Sequence, residues 1–281
     1  MKYIHILFFL LPFTLFSQED LFSEIDTTAA GGFETAAFKG LKIVNFESTK
    51  MVSQKELYFV VSHRFGSVKT GFKDFFGLDQ AVTRLNFIYG ISDGVNIGFS
   101  RSSFLKIYET SLKLRLLRQK KEGAPVTIVL FNSLLINTAL DKVNLPDLEF
   151  RNRLGYTSQL LISSKINKNL SLEIIPTFFH DNLVQIVNQE NSQYVLGIGG
   201  RHKLSKRWSF NADYGFHLNR VSTSPFKNPL SIGFDLETGG HVFQLHFTNA
   251  QPMNTNGYLG QAIGDWGKGD FFFGFNLSRI F

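Results

Sequence analysis

The stretch Gly269-Asp270-Phe271-Phe272-Phe273-Gly274-Phe275-Asn276-Leu277-Ser278-Arg279-Ile280-Phe281 decides how the chain is to be read. Successive side chains of a strand point to opposite faces. One face then carries Phe271, Phe273, Phe275, Leu277, Arg279 and Phe281; the other carries Asp270, Phe272, Gly274, Asn276, Ser278 and Ile280. The first face is apolar apart from Arg279, whose long side chain can reach back to a polar boundary. The second is mostly small or polar. Such a strand separates a greasy side from a wet one, and the rest of the chain has to say what each side meets.

Working back from it, twelve runs have a strand-like pattern: 56–63, 81–90, 94–101, 105–117, 125–138, 153–166, 170–179, 192–203, 207–218, 229–238, 241–250 and 269–281. The cleanest puts Trp208, Phe210, Ala212, Tyr214, Phe216 and Leu218 on one face, with Arg207, Ser209, Asn211, Asp213, Gly215 and His217 on the other. Periodicity alone would suit a soluble sandwich equally well. The connections decide otherwise. Tight turns (Ile91-Ser92-Asp93, Asn167-Lys168-Asn169, Leu204-Ser205-Lys206, Gly239-Gly240) alternate with long polar loops, with one exception near 102–104. Transmembrane barrels have this asymmetry, short turns at one end and longer loops at the other. The expected fold is therefore all-β, a single antiparallel transmembrane β-barrel of about twelve strands, within a range of ten to fourteen.

Two register predictions follow. A two-residue turn at Gly239-Gly240 places Thr238 opposite His241, Leu236 opposite Phe243 and Asp235 opposite Gln244, so like meets like except where Glu237 faces Val242. Lipid tolerates no unpaired sheet edge, so the run ending at Phe281 must pair with the first, near Leu57 to His63. Inward candidates are Arg84, Lys113, Arg115, Glu173, Arg207, Asp213, Asp235 and His246, mixed in sign and expected to pair across a wet lumen.

Composition agrees. Among 281 residues Phe occurs 31 times and Cys never. No Cys means no disulfide framework and no thiolate metal site. The Phe excess suits an apolar exterior with aromatic girdles. The net charge of +6 is scattered, with only a short basic run at Arg118 to Lys121, so no nucleic-acid partner is expected. Residues 1–17 read as a signal peptide: Lys2 is the positive start, and Ile6 to Phe16 is an apolar run too short to span a bilayer. Residues 18–54 read as an N-terminal segment that is periplasmic or tucked into the lumen, and 55–281 as the barrel. Export and a barrel together place the protein in the outer membrane of a Gram-negative bacterium.

Four stretches together carry a resemblance: Ser62-His63-Arg64-Phe65-Gly66, Asp74-Phe75-Phe76-Gly77-Leu78, Ile88-Tyr89-Gly90 with Asn96-Ile97-Gly98-Phe99, and the run to Phe281 itself. Together they resemble an uncharacterised family of outer-membrane β-barrel proteins from the Bacteroidota, a domain of unknown function, over roughly residues 40 to 281. The last run also resembles the closing strands of bacterial outer-membrane barrels. That resemblance implies recognition of Phe281 by the barrel-assembly machinery. It implies no activity.

The chemistry-bearing residues give no catalytic, cofactor or metal site. Asp213 and His217 share a face, but four strand residues separate them by about 13 Å, too far for a hydrogen bond. His241 and His246 are an odd number apart and point to opposite faces. His63, His180, His202 and His217 read as girdle or lumen side chains. The glycines of Leu196-Gly197-Ile198-Gly199-Gly200 are followed by no helical pattern, so they mark a bend or a tight interior instead of a phosphate loop. His63-Arg64-Phe65-Gly66 reads as a structural corner closing the first strand or as a ligand-contacting loop, and Phe72 to Phe76 as a loop folding into the mouth. The functional expectation is a narrow passive channel, or a scaffold for a periplasmic protein partner, with no cofactor. The alternatives are a barrel enzyme acting on lipid or peptide, and a soluble periplasmic all-β binding protein.

Overall fold

Every strand run predicted from the alternation is present in the computed structural model, which describes residues 32–184 and 186–281. The signal-peptide reading of residues 1–17, and the start of the segment that follows, lie outside the described residues. The strands are β1 (Leu57–Ser67), β2 (Ala81–Ser92), β3 (Val95–Ser102), β4 (Ile107–Leu117), β5 (Thr127–Asn137) and β6 (Leu154–Lys165). They continue as β7 (Leu170–Asp181), β8 (Ser192–Lys203), β9 (Trp208–His217), β10 (Leu230–Thr238), β11 (His241–Thr248) and β12 (Phe272–Ile280). Each pairs with its sequence neighbours, and β12 closes the circle on β1.

The predicted registers hold. Thr238 lies opposite His241, Leu236 opposite Phe243, Asp235 opposite Gln244 and Glu237 opposite Val242. The closing seam sets Tyr58 against Ile280, Ser62 against Asn276 and Arg64 against Gly274. The largest boundary difference lies at the end of the first strand. Instead of turning a corner at His63, β1 runs on to Ser67, and the seam absorbs the extra length in a register shift between Arg64 and Ser67. Bulges of this kind add local twist at a barrel rim.

The two faces sort by chemistry. Outward positions keep large apolar side chains uncovered, Phe87 at 44%, Ile174 at 51% and Phe234 at 45% exposed, a pattern that water would not sustain but lipid does. Aromatic contacts run along this outer wall: Phe59 stacks on Phe87, and Phe65 on Phe273. Trp208, Phe210, Tyr214 and Phe216 all face out, while Ser209, Asn211 and Asp213 are buried on the inner side. No helix among the described residues is long and apolar enough to cross a membrane.

Both mouths are obstructed from within. At the end bearing the short turns, the segment before β1 enters the barrel, and Phe38, Ile43, Val44, Phe46 and Val52 are almost fully buried there. At the other end, the connection from β11 to β12 folds inward around a six-residue helix, α1 (Thr255–Gly260), whose Tyr258 and Leu259 are fully buried. The sequence assigned the mouth-filling role to Phe72–Phe76, and that is corrected here. Phe72 stays 86% exposed and packs edge-on against Phe76. The strand-like end of the eleventh run stops at Thr248, because Ala250 to Ala262 carries the apolar side chains that cap the core instead.

Candidate functional site

The inserted segment is a hairpin. Ile43 N–H donates to Phe46 O at 2.9 Å and Ser48 N–H to Leu41 O at 3.0 Å, closing a tight turn whose tip is Val44-Asn45. A turn buried inside a protein must find partners for its polar backbone. Here the wall supplies them. The amides of Val44, Asn45 and Phe46 converge on one carboxylate oxygen, Asp213 Oδ2, at 2.9, 2.7 and 3.2 Å. Asn45 Nδ2 donates to Ser231 Oγ and Thr248 Oγ1, both at 2.9 Å, and its Oδ1 accepts from Arg64 Nη2.

A buried charge cluster holds the hairpin's two arms. Glu47 accepts Lys42 Nζ at 2.6 Å and Lys113 Nζ at 2.9 Å; Lys113 also donates to the carbonyls of Leu41 and Ser48. Burial alone would raise the Glu47 carboxyl, but the Lys113 and Lys42 ammoniums outweigh it and hold it down to about 2. Further along, Asn96 makes a two-way clasp with Val52, its Oδ1 accepting Val52 N–H and its Nδ2 donating to Val52 O, each at 2.8 Å. The Thr49 and Ser163 hydroxyl oxygens lie 2.5 Å apart, and Thr49 N–H donates to Glu173 Oε2.

The glycine run is the hairpin's seat. A Cβ on Gly197 would lie 2.4 Å from Phe46 Cε1, and one on Gly199 would lie 2.5 Å from Ile43 Cδ1. Side chains are absent because another part of the chain occupies their place. The Phe46 ring then meets Tyr258 of α1 edge-on, with ring centres 5.2 Å apart, so the two inserted segments touch inside the barrel. Val129, Phe131, Leu161, Ile175, Phe179 and Val195 from the wall complete an apolar core around them.

Most predicted inward residues do face in, but their partners differ from those expected across a wet lumen. Arg84 pairs with Glu109 at 2.5 Å and donates to Met253 O. Lys113, Glu173 and Asp213 serve the hairpin, and Asp235 accepts from Gln244 at 3.0 Å. Arg207 is a correction: it sits exposed in the turn before β9 instead of lining the interior. Sequence reasoning did not single out Asn45, Glu47, Lys42 or Tyr258. Same-face glycines at Gly197 and Gly199, beside Gly215 on the next strand, were the available signal for a large side chain seated against them.

Among the described residues no group of three or more His, Asp or Glu side chains could hold a metal ion. Two imidazoles touch hydroxyls on the outer wall, His180 with Ser192 at 2.9 Å and His63 with Thr83 at 3.2 Å. Neither bonds a carboxylate among the described residues, so the orienting group that a nucleophile–base set requires is missing there. His217 bonds Gln193 at 2.9 Å, and Asp213 is committed to the hairpin amides.

Comparison with known proteins agrees with this architecture. A porin, NanC, superimposes with a TM-score of 0.51 at 10% identity, covering 79% of this chain and 98% of its own. The KdgM porin (TM-score 0.48, 8% identity, 79% and 98% covered) and an outer membrane channel from Pseudomonas putida F1 (0.47, 13%, 83% and 98%) are more distant. At such identities the likeness is one of fold. A search among curated proteins found no match. Residues 38–281, which take in the hairpin as well as all twelve strands, match a family profile, and the chain belongs to the family described as Membrane bound beta barrel domain (DUF5777).

Proposed function

We propose that the protein is an outer-membrane barrel acting as a narrow passive channel that its own residues 33–53 hold closed, so that passage requires the hairpin to leave its seat. The supporting observation is the convergence of three hairpin amides on Asp213. The polar attachments are hydrogen bonds and ion pairs, each modest in net strength, and they act beside the apolar contacts of Ile43 and Phe46 with the wall, which unseating would expose. In this reading the short-turn end is periplasmic and the long loops lie outside, as in other membrane barrels. Assembly through recognition of Phe281 and contact with outer-membrane lipid belong to the same proposal.

The filled lumen also favours a second reading, a closed scaffold that meets a periplasmic protein at the short-turn end. Planar-bilayer conductance separates the two. A channel predicts a quiet wild type and steady openings in an Asp213→Ala/Lys113→Ala variant, which loses two anchors of the hairpin. A scaffold predicts silence from both, and equal steady currents from both would remove the idea of a closed resting state.

A further inference from the structure

At the short-turn end, the hairpin and the wall enclose a vestibule of about 770 Å³. That volume lies within the range of pockets that hold a small ligand, roughly 300–1,000 Å³. Its lining is unevenly charged. Lys39, Lys50, Arg115, Arg118, Lys168 and Arg201 contribute to it, against the carboxylates Glu34, Asp93 and Glu237. Some of these charges are already used: Lys39 pairs with Glu237 at 2.7 Å, and Arg201 bonds Ser209 Oγ at 2.9 Å. Among the described residues no ion pair engages Lys50, Arg115, Arg118 or Lys168. Arg118 instead lies over the Phe33 ring, 4.5 Å from its centre, which fixes the guanidinium at the rim. Clefts lined by one sign of charge with apolar walls focus the field and concentrate counter-ions.

We infer that this vestibule is a binding site for a multiply charged anion bearing phosphate or carboxylate groups. Lys50 comes from the inserted segment, whereas Arg115, Arg118 and Lys168 come from β4, the connection after it and the β6–β7 turn. An anion bridging them ties the segment to the wall. The inference thus deepens the closed-channel proposal, because the ligand would favour the seated hairpin. Phosphate groups reach this end from two sources, a soluble solute and a phospholipid headgroup, and both present the same chemistry to the site.

The test uses the full chain in nanodiscs of zwitterionic lipid, with inorganic tripolyphosphate as the probe, titrated calorimetrically at low salt. Saturable binding is expected, weakened about tenfold or more by the triple variant Arg115→Gln/Arg118→Gln/Lys168→Gln and by high salt. Lys142→Gln, an exposed change at the opposite mouth, should leave it unaltered. Repeating the titration in nanodiscs of anionic phospholipid identifies the source: competition assigns the site to headgroups, no competition assigns it to a solute, and either supports the site. Heat-modifiable gel mobility checks that each variant is folded. No saturable binding by the folded wild type, or binding that the folded triple variant retains, would overturn the inference. Binding by a protein that never conducts would leave this site intact and remove the channel proposal instead.

Discussion

Asp213 concentrates the energetics of the closed state at one atom. Its Oδ2 is the acceptor for three amides that the turn geometry leaves without partners in the hairpin itself. Truncation in Asp213→Ala leaves those donors buried and unpaired, at about 1–3 kcal/mol for each unsatisfied group. Asp213→Asn keeps an acceptor oxygen and should cost clearly less. Melting followed by circular dichroism in detergent reads the difference; equal midpoints for both variants and wild type would show that the hairpin is not anchored there. Glu47 supplies a pH signature. Its folded carboxyl sits near 2, below the usual 4.5, so its contribution is complete above about 4.5 and is lost as the pH falls through 2. The stability advantage of wild type over Glu47→Gln should hence hold from neutral pH down to about 5 and then shrink on further acidification. An identical acid profile in that variant would show that the Lys42–Glu47–Lys113 cluster does not hold the segment.

At the scale of elements, β9 shows what the sequence could and could not say. Trp208 to Phe216 alternate so cleanly that facing was readable from the residues alone, and both sides came out as expected. Alternation reports only which side a residue faces, not what waits there. Asn211 lies on the polar face, which a wet lumen would leave hydrated, yet it is 1% exposed. The hairpin itself was invisible to pattern reading, since a turn of Val44-Asn45 between short arms has neither period. Its contacts span long stretches of sequence, such as Asn45 to Thr248, that no local window can see. Likewise α1 is too short to declare itself, whereas Phe72–Phe76 looked like a plug only because it is rich in aromatic side chains. Cysteine scanning in this Cys-free chain checks the facing. A single Cys at Phe210 should react with a lipid-partitioned maleimide and resist an impermeant one. At Asn211 a Cys should resist both while the hairpin is seated. Ready reaction of Asn211→Cys with the impermeant reagent would mean an open, wet interior.

For the whole molecule, the fold solves two problems with one chain. Closing β12 on β1 removes the sheet edge that lipid cannot tolerate, but a barrel of twelve strands encloses more space than its own inward side chains fill. The segment before β1 and the α1 connection fill that space from opposite ends and meet at Phe46 and Tyr258. The most direct measurement uses Thr49 and Ser163, whose hydroxyl oxygens are 2.5 Å apart across the hairpin–wall boundary. The double variant Thr49→Cys/Ser163→Cys should form a disulfide in the assembled, heat-modifiable barrel, visible as a mobility shift under non-reducing conditions. Placed in the Asp213→Ala/Lys113→Ala background, which is expected to open, the formed bond should abolish the current and reductant should restore it. A folded barrel whose two cysteines never join, or one that conducts equally with the bond formed and broken, would contradict a lumen closed by its own N-terminal hairpin.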